Sequence, residues 1–157
     1  MAEWAIAVLY NGLGRYRAAL AAAQRASEGE DLGLFGWALV ELVEADARSG
    51  APEAAAAAFE RLAERTRASA RDWALGIEAR SRALLSDSQT AGPLYREAIE
   101  RLARSRIAVH LARAHLLYGE WLRRENRLID AREQLRTAHQ MLASMGADGF
   151  AAACGAL

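Results

Sequence analysis

The sequence predicts an all-α protein built of antiparallel helical hairpins. Three observations carry that expectation. No stretch alternates apolar and polar residues with the two-residue period of a strand, whereas apolar residues recur three and four apart along most of the chain. Turn residues at Gly12/Gly14, Gly29, Gly50, Ser86 to Ser88, Asn126 and Gly146 divide it into segments of about 10 to 20 residues, a usual length for globular helices. The two prolines, Pro52 and Pro93, stand near the beginning of such segments, where a missing backbone N–H costs little.

Taken in order, the first helix is expected over 2–11, ending before the Gly12/Gly14 pair, and the second over 15–28, ending at Gly29. The third runs 31–49 to Gly50, and the fourth, 52–69, opens on Pro52. The fifth, 71–86, stops at the serine cluster, and the sixth, 90–104, starts just before Pro93. The seventh, 107–125, stops at Asn126, the eighth, 128–144, at Gly146, and a partial capping helix follows over 147–157. Short connections make consecutive helices antiparallel neighbours. The whole of 1–157 reads as one helical-repeat domain, with hairpins at about 1–29, 31–69, 71–105 and 107–146.

The hairpins repeat. Ile6, Ala7, Tyr10, Gly14, Tyr16, Ala19, Ala23 and Ala26 have the same spacing as Tyr118, Gly119, Leu122, Asn126, Leu128, Ala131, Leu135 and Ala138. Small residues fall where two helices touch, a turn residue lies between the helices, and larger apolar residues fill the gaps. Both runs match the tetratricopeptide pattern, which implies a right-handed superhelix of about four repeats. The stretch YGEWLRRENR, 118–127, is then the end of a first helix and its turn: Gly119 permits close approach, Trp121 and Leu122 anchor, and Asn126 turns as Gly14 and Gly50 do. The second hairpin keeps the frame with Leu42, Val43, Gly50, Ala55, Phe59 and Leu62, but places Asp46 where the first has Tyr10. The third keeps Ala79, Ala91, Tyr95 and Ala98, yet Glu78 and Arg82 fall at inward positions, so a shifted register with Ile77, Leu84 and Leu85 inward is also open.

Composition excludes several chemistries. All 20 cations are arginine and balance 20 acids, so the formal net charge is zero and no field favours a phosphate backbone. With no lysine, neither a Walker loop nor imine chemistry is available. The one cysteine, Cys154, cannot form an internal disulfide and has no histidine or arginine beside it to activate it. No signal peptide and no apolar run of roughly 20 residues occurs, so a cytoplasmic location with no membrane contact is expected.

Candidate motifs mostly have plain readings. His110 and His115 are five apart and turn away from each other on a helix, and with His139 they read as packing or surface residues. GLGRYR at 12–17 lacks the preceding strand and third glycine of a dinucleotide loop and reads as a repeat turn. Glu41, Glu44 and Asp46 in ELVEAD read as acids on the solvated side of a helix. No acid–base pair, metal-ligand set or Gly-x-Ser-x-Gly supports an enzyme, and no cofactor is expected.

One constellation is sharper. In tetratricopeptide arrays the first helices line a concave groove, and residues one repeat apart form columns across it. Trp37 and Trp73 are 36 apart, and Arg113 continues their column. Val8, Glu44, Arg80 and Glu120 form a second column; Gly12, Arg48, Leu84 and Arg124 form a third; Asn11 and Arg123 flank them. Indole with guanidinium suits a carboxylate, an aromatic group or a peptide. The competing reading makes both tryptophans core anchors.

The run RAHLLYGEWLRRENRLIDAREQLRTAHQMLASMGADGFA, 113–151, resembles the last helical repeats of the large LuxR-type transcriptional regulators, with ARSRALLSD and LYREAIERLARS agreeing more weakly. The resemblance implies a segment cut from a larger protein, between a nucleotide-binding ATPase module and a helix-turn-helix domain. No nucleotide or DNA-contacting residue of that family falls on a position here, so direct nucleic-acid binding is not expected. In one branch of the family the superhelix binds an inducer sugar, which implies a protein or small-molecule effector in the groove. The expected function is therefore effector sensing or protein interaction within such a regulator. The alternative is a free-standing tetratricopeptide adaptor. The apolar segment around Phe150 is the expected seat of a homodimer contact.

Overall fold

The computed structural model describes residues 2–28, 32–105 and 107–146, with side chains in the third helix described from residue 36. The described residues form eight helices and no strand: α1 (Ala2–Gly12), α2 (Tyr16–Ser27), α3 (Leu32–Ser49), α4 (Pro52–Ser69), α5 (Asp72–Leu85), α6 (Ser88–Ala103), α7 (Ala108–Arg124) and α8 (Leu128–Ser144). The divider Gly29 and the partial helix expected over 147–157, with Phe150 and Cys154, lie outside the described residues. The chain divides into two compact units, Met1–Ala70 and Arg71–Leu157.

In the first unit α1 packs on α2, α2 on α3 and α3 on α4, and α1 also meets α3. Alanine makes the close contacts between α1 and α2: Ala7, Ala19, Ala22 and Ala23 are fully buried. With α1, α2 and α4 all against it, α3 has every residue from Ala38 to Asp46 buried. In the second unit α5 pairs with α6, α6 with α7, and α7 with α8. Its core gathers Tyr95, Leu117, Tyr118, Trp121 and Leu122. Three of these form an aromatic set, with Tyr95 and Tyr118 centroids 5.5 Å apart and Tyr118 and Trp121 5.8 Å apart.

The repeat frame is visible atom by atom. Its small position is buried in all four hairpins, at Ala7, Val43, Ala79 and Gly119. Three hairpins share one turn: the N–H groups of Arg15, Ala51 and Arg127 donate to the carbonyls of Tyr10, Asp46 and Leu122 at 2.9, 3.0 and 2.9 Å. That six-residue bond closes a Schellman turn, which needs a left-handed residue just before the donor. Gly14, Gly50 and Asn126 supply it, at φ 69°, 83° and 60°.

The third hairpin departs from the frame at this turn. Ser86 stands at the equivalent position with φ −93° and extended backbone, and Asp87 caps α6 instead. The Asp87 carboxylate accepts from the Gln89 and Thr90 N–H groups at 3.1 and 2.9 Å, so α6 begins two residues earlier than the sequence suggests. Pro93 consequently lies inside the helix, not in its first turn. The rest of this hairpin mixes the two expected registers: Glu78 is buried and ion-pairs with Arg82, Ile77 is buried beside it, and Arg82, Leu84 and Leu85 are only half-buried. The other end is fastened by Asp72, which accepts from Arg104 Nε and Nη2, each at 3.1 Å.

Candidate functional site

The polar interior follows the hairpin frame. Ten polar or charged residues are buried among the described residues, and nine of them lie on the first helices of hairpins: Asn11 on α1, Glu41, Glu44 and Asp46 on α3, Glu78, Arg80 and Ser81 on α5, and His110 and Arg113 on α7. Thr66 on α4 is the exception, and its hydroxyl bonds back to its own helix at the Ala63 carbonyl, 3.1 Å away. The second helices bury alanine, leucine and aromatic rings.

In the first unit, Asn11 Nδ2 donates to the Glu41 carboxylate at 2.8 Å and to its carbonyl at 3.1 Å. The acids of ELVEAD are therefore not on a solvated face, as their local sequence suggests. Glu41, Glu44 and Asp46 are 1%, 4% and 4% exposed because neighbouring helices cover several sides of α3. Burial holds the Asp46 carboxyl above the ordinary aspartate range. Arg48, two residues on, is half-buried, and its guanidinium carbon lies 5.5 Å from the Tyr16 ring centroid. A shallow cleft of about 440 Å³ opens there, lined by Arg15, Tyr16, Arg17 and Arg48.

In the second unit, Arg80 and Arg113 are 1% and 2% exposed and are the largest fully buried side chains among the described residues. His110, 5% exposed, belongs with them, its Nδ1 standing 3.5 Å from Arg80 Nη1. Burial pushes the His110 pKa down to about 2, and the charges of Arg80 and Arg113 push the same way. Its imidazole is neutral, and a hydrogen bond from Arg80 to Nδ1 puts the ring proton on Nε2. His110 was legible in sequence only as a packing histidine, although its spacing from Arg113, three residues on along α7, already puts both on one face.

The remaining groove candidates are distributed by exposure. Trp37 and Trp73 are both half-buried, neither sealed in the core nor open, and Glu120 is half-buried too. Arg123 and Arg124 are exposed in the last turn of α7, where a cation is favoured by the helix dipole whatever else it does. His115 faces away from His110, as its spacing demands, and its Nδ1 lies 2.7 Å from Gln134 Oε1 on α8. Burial lowers its pKa. It lines a second open cleft of about 320 Å³ with Arg96, Tyr118, Arg127, Glu133 and Gln134.

Among the described residues no group of three or more histidine, cysteine or carboxylate side chains is placed to hold a metal, and no helix is long and apolar enough to cross a membrane. Comparison of the chain with protein-family models gives no match, and comparison with curated proteins gives none.

Proposed function

We propose that this chain is the regulatory helical-repeat segment of a LuxR-type transcriptional regulator, a cytoplasmic and non-enzymatic module that senses an effector or a protein partner. The observation that carries the reading is the concentration of buried charge on the first helices of the hairpins. Burying charge costs stability unless every group is matched, and apolar replacements of equal volume are frequently as stable. Buried Glu44 in the first unit, and buried Arg80, Arg113 and neutral His110 in the second, are more than a purely structural solenoid requires, and they suit one whose first helices must recognise polar groups. Within the second unit Arg80 and Arg113 would orient more accessible groups on their own helices, such as Trp73 and Glu120, and within the first unit Glu44 would do the same for Trp37 and Arg48.

The reading has two tests. Coding sequence for a nucleotide-binding module before this segment and a helix-turn-helix after it is expected, and its absence overturns the regulator assignment. Titration with acidic hexapeptides and with small dicarboxylates should quench tryptophan fluorescence, and Arg48→Gln should weaken that response about tenfold, as loss of one charge-assisted hydrogen bond implies. No response to either probe class removes the groove. A second reading, a free-standing adaptor gripping a peptide, is favoured by the Arg48–Tyr16 shelf, whose open shape suits a side chain of a partner protein.

A further inference from the structure

The cleft beside His115 is a valley with three helical sides, all in the second unit. Helix α7 gives the floor through His115 and Tyr118; α6 gives one wall through Arg96 and Ile99, and α8 the other through Glu133 and Gln134. Both walls meet the same part of α7. Tyr95, next to Arg96, stacks on Tyr118 with centroids 5.5 Å apart, and Gln134, next to Glu133, reaches His115 at 2.7 Å. Most of the charge lining the cleft is already matched: Glu100 pairs with Arg104 at 3.0 Å, and Arg127 Nε donates to the Asp130 carboxylate at 2.9 Å. Arg96 and Glu133 are different. Both are exposed, and among the described residues neither side chain makes an ion pair or hydrogen bond. A cation and an anion thus stand on opposite walls of one cleft without neutralising each other. Between them the Gln134 carboxamide oxygen can only accept, so His115 Nδ1 carries the ring proton and Nε2 is left as an acceptor. Burial lowers the His115 pKa and keeps the ring neutral.

We propose that this cleft binds a small zwitterion, a free amino acid with an apolar side chain, its carboxylate on Arg96 and its ammonium on Glu133. Charge narrows the choice. A simple anion would satisfy Arg96 but meet repulsion from Glu133, and a simple cation would do the reverse; a molecule with both poles satisfies both walls. Neutral His115 adds an acceptor for the ammonium, whereas a protonated ring would repel it. The apolar body of the ligand then covers Ile99 and Tyr118 on the wall and floor between the poles. Size agrees, because about 320 Å³ is at the small end of ligand clefts and suits a single amino acid. The cleft is open and its two poles are exposed, so binding is weak, with a Kd on the order of 0.1–1 mM. His115 is turned by about 200° around α7 from Arg113, so the site is separate from the groove and does not rest on the function proposed above.

A backbone-amide NMR titration of the whole chain with leucine tests it, beside three probes that each lack one part. Glycine has no apolar body, leucinamide no carboxylate, and isocaproate no ammonium. Leucine should shift the amides around His115, Tyr118 and Gln134, and each of the other probes should bind at least about tenfold more weakly, having lost a charge-assisted contact or the burial of a branched side chain. Arg96→Gln and Glu133→Gln should each weaken leucine about tenfold. Helical circular dichroism should not change, because both side chains are exposed. The probes tell the poles apart: Glu133→Gln should not weaken isocaproate, and Arg96→Gln should not weaken leucinamide. Arg48→Gln, in the first unit, should leave leucine binding as it is. No amide shift with leucine up to roughly 10 mM overturns the proposal. Leucine binding that neither Arg96→Gln nor Glu133→Gln weakens overturns it in favour of another site, and so does equal affinity for leucine, leucinamide and isocaproate, since the cleft would then not read both poles.

Discussion

Gly119 and Leu135 set the distance between α7 and α8. A Cβ built on Gly119 would stand 2.6 Å from Leu135 Cγ and 3.2 Å from its backbone nitrogen. The second of these contacts is with main chain, so no side-chain rotation relieves it. The same relationship recurs between α5 and α6, where a Cβ on Gly76 would lie 2.7 Å from Leu102 Cγ. Close approach is what lets Leu122 and Leu135 bury to 0% and 3% exposure across the hairpin.

Gly119→Ala should therefore destabilise the second unit despite alanine's better helix propensity. Overpacking a close helix contact costs about 1–3 kcal/mol, and the propensity gain returns about 1 kcal/mol at most. Gly36 in α3 is the control, because a Cβ there meets nothing within 4 Å. Urea unfolding should show Gly119→Ala less stable than the parent and Gly36→Ala more stable by about 0.5–1 kcal/mol. Equal effects would mean that the two helices are not held at this distance.

The left-handed turn residues make a second pair of opposed expectations. Asn126 sits at φ 60°, a conformation asparagine tolerates better than other side chains, so Asn126→Ala should cost about 1 kcal/mol and Asn126→Gly should be neutral or slightly stabilising. Ala70 also has positive φ, 51°, at the end of α4, where no side chain compensates for its strain. Ala70→Gly should raise the melting temperature, by the equivalent of about 0.5–1 kcal/mol.

What the sequence made legible was what short-range physics dictates. The eight helices, the turns at Gly14, Gly50 and Asn126, and the anchoring roles of Gly119, Trp121 and Leu122 follow from periodicity and backbone conformation. The α5–α6 turn was not legible, because a serine-rich break leaves the capping residue open until the Asp87 carboxylate is placed. The buried acids of α3 were hidden for another reason: their exposure depends on how many helices surround α3, and no local pattern encodes that number. The groove columns gave positions on a helix face but not depth, and depth separates sealed Arg80 and Arg113 from exposed Arg123 and Arg124.

Depth also changes what substitution at Arg113 measures. With 2% exposure, its alkyl stem is packed as well as its head, so Arg113→Ala should lower stability by about 2–5 kcal/mol before any question of ligand arises. Arg124→Ala, at an exposed position in the last turn of the same helix, should change stability by less than about 0.5 kcal/mol. Chemical denaturation of both variants separates the two arginines, and a mild effect at Arg113 would place its guanidinium in solvent.

His110 gives the chain a predictable response to acid. The unfolded chain protonates this residue near the ordinary value of 6.5, whereas the folded chain leaves it neutral down to about 2. Between those values the unfolded state binds one proton more, so stability falls as pH falls, by about 1.4 kcal/mol per unit from this group. His115, whose pKa burial also lowers, adds with the same sign. Asp46 works the other way: its raised carboxyl takes up a proton in the folded state first, which favours folding as the pH falls through its folded value. His110→Gln keeps a polar side chain of similar reach and cannot titrate. Its stability profile should therefore be shallower than the parent's from pH 6.5 to 5, with a difference growing to roughly 2 kcal/mol at the acid end, while the His115 and Asp46 contributions cancel in the subtraction. Parallel profiles would mean that His110 accepts its proton while folded, and that the guanidinium of Arg80 does not stand where it opposes that charge.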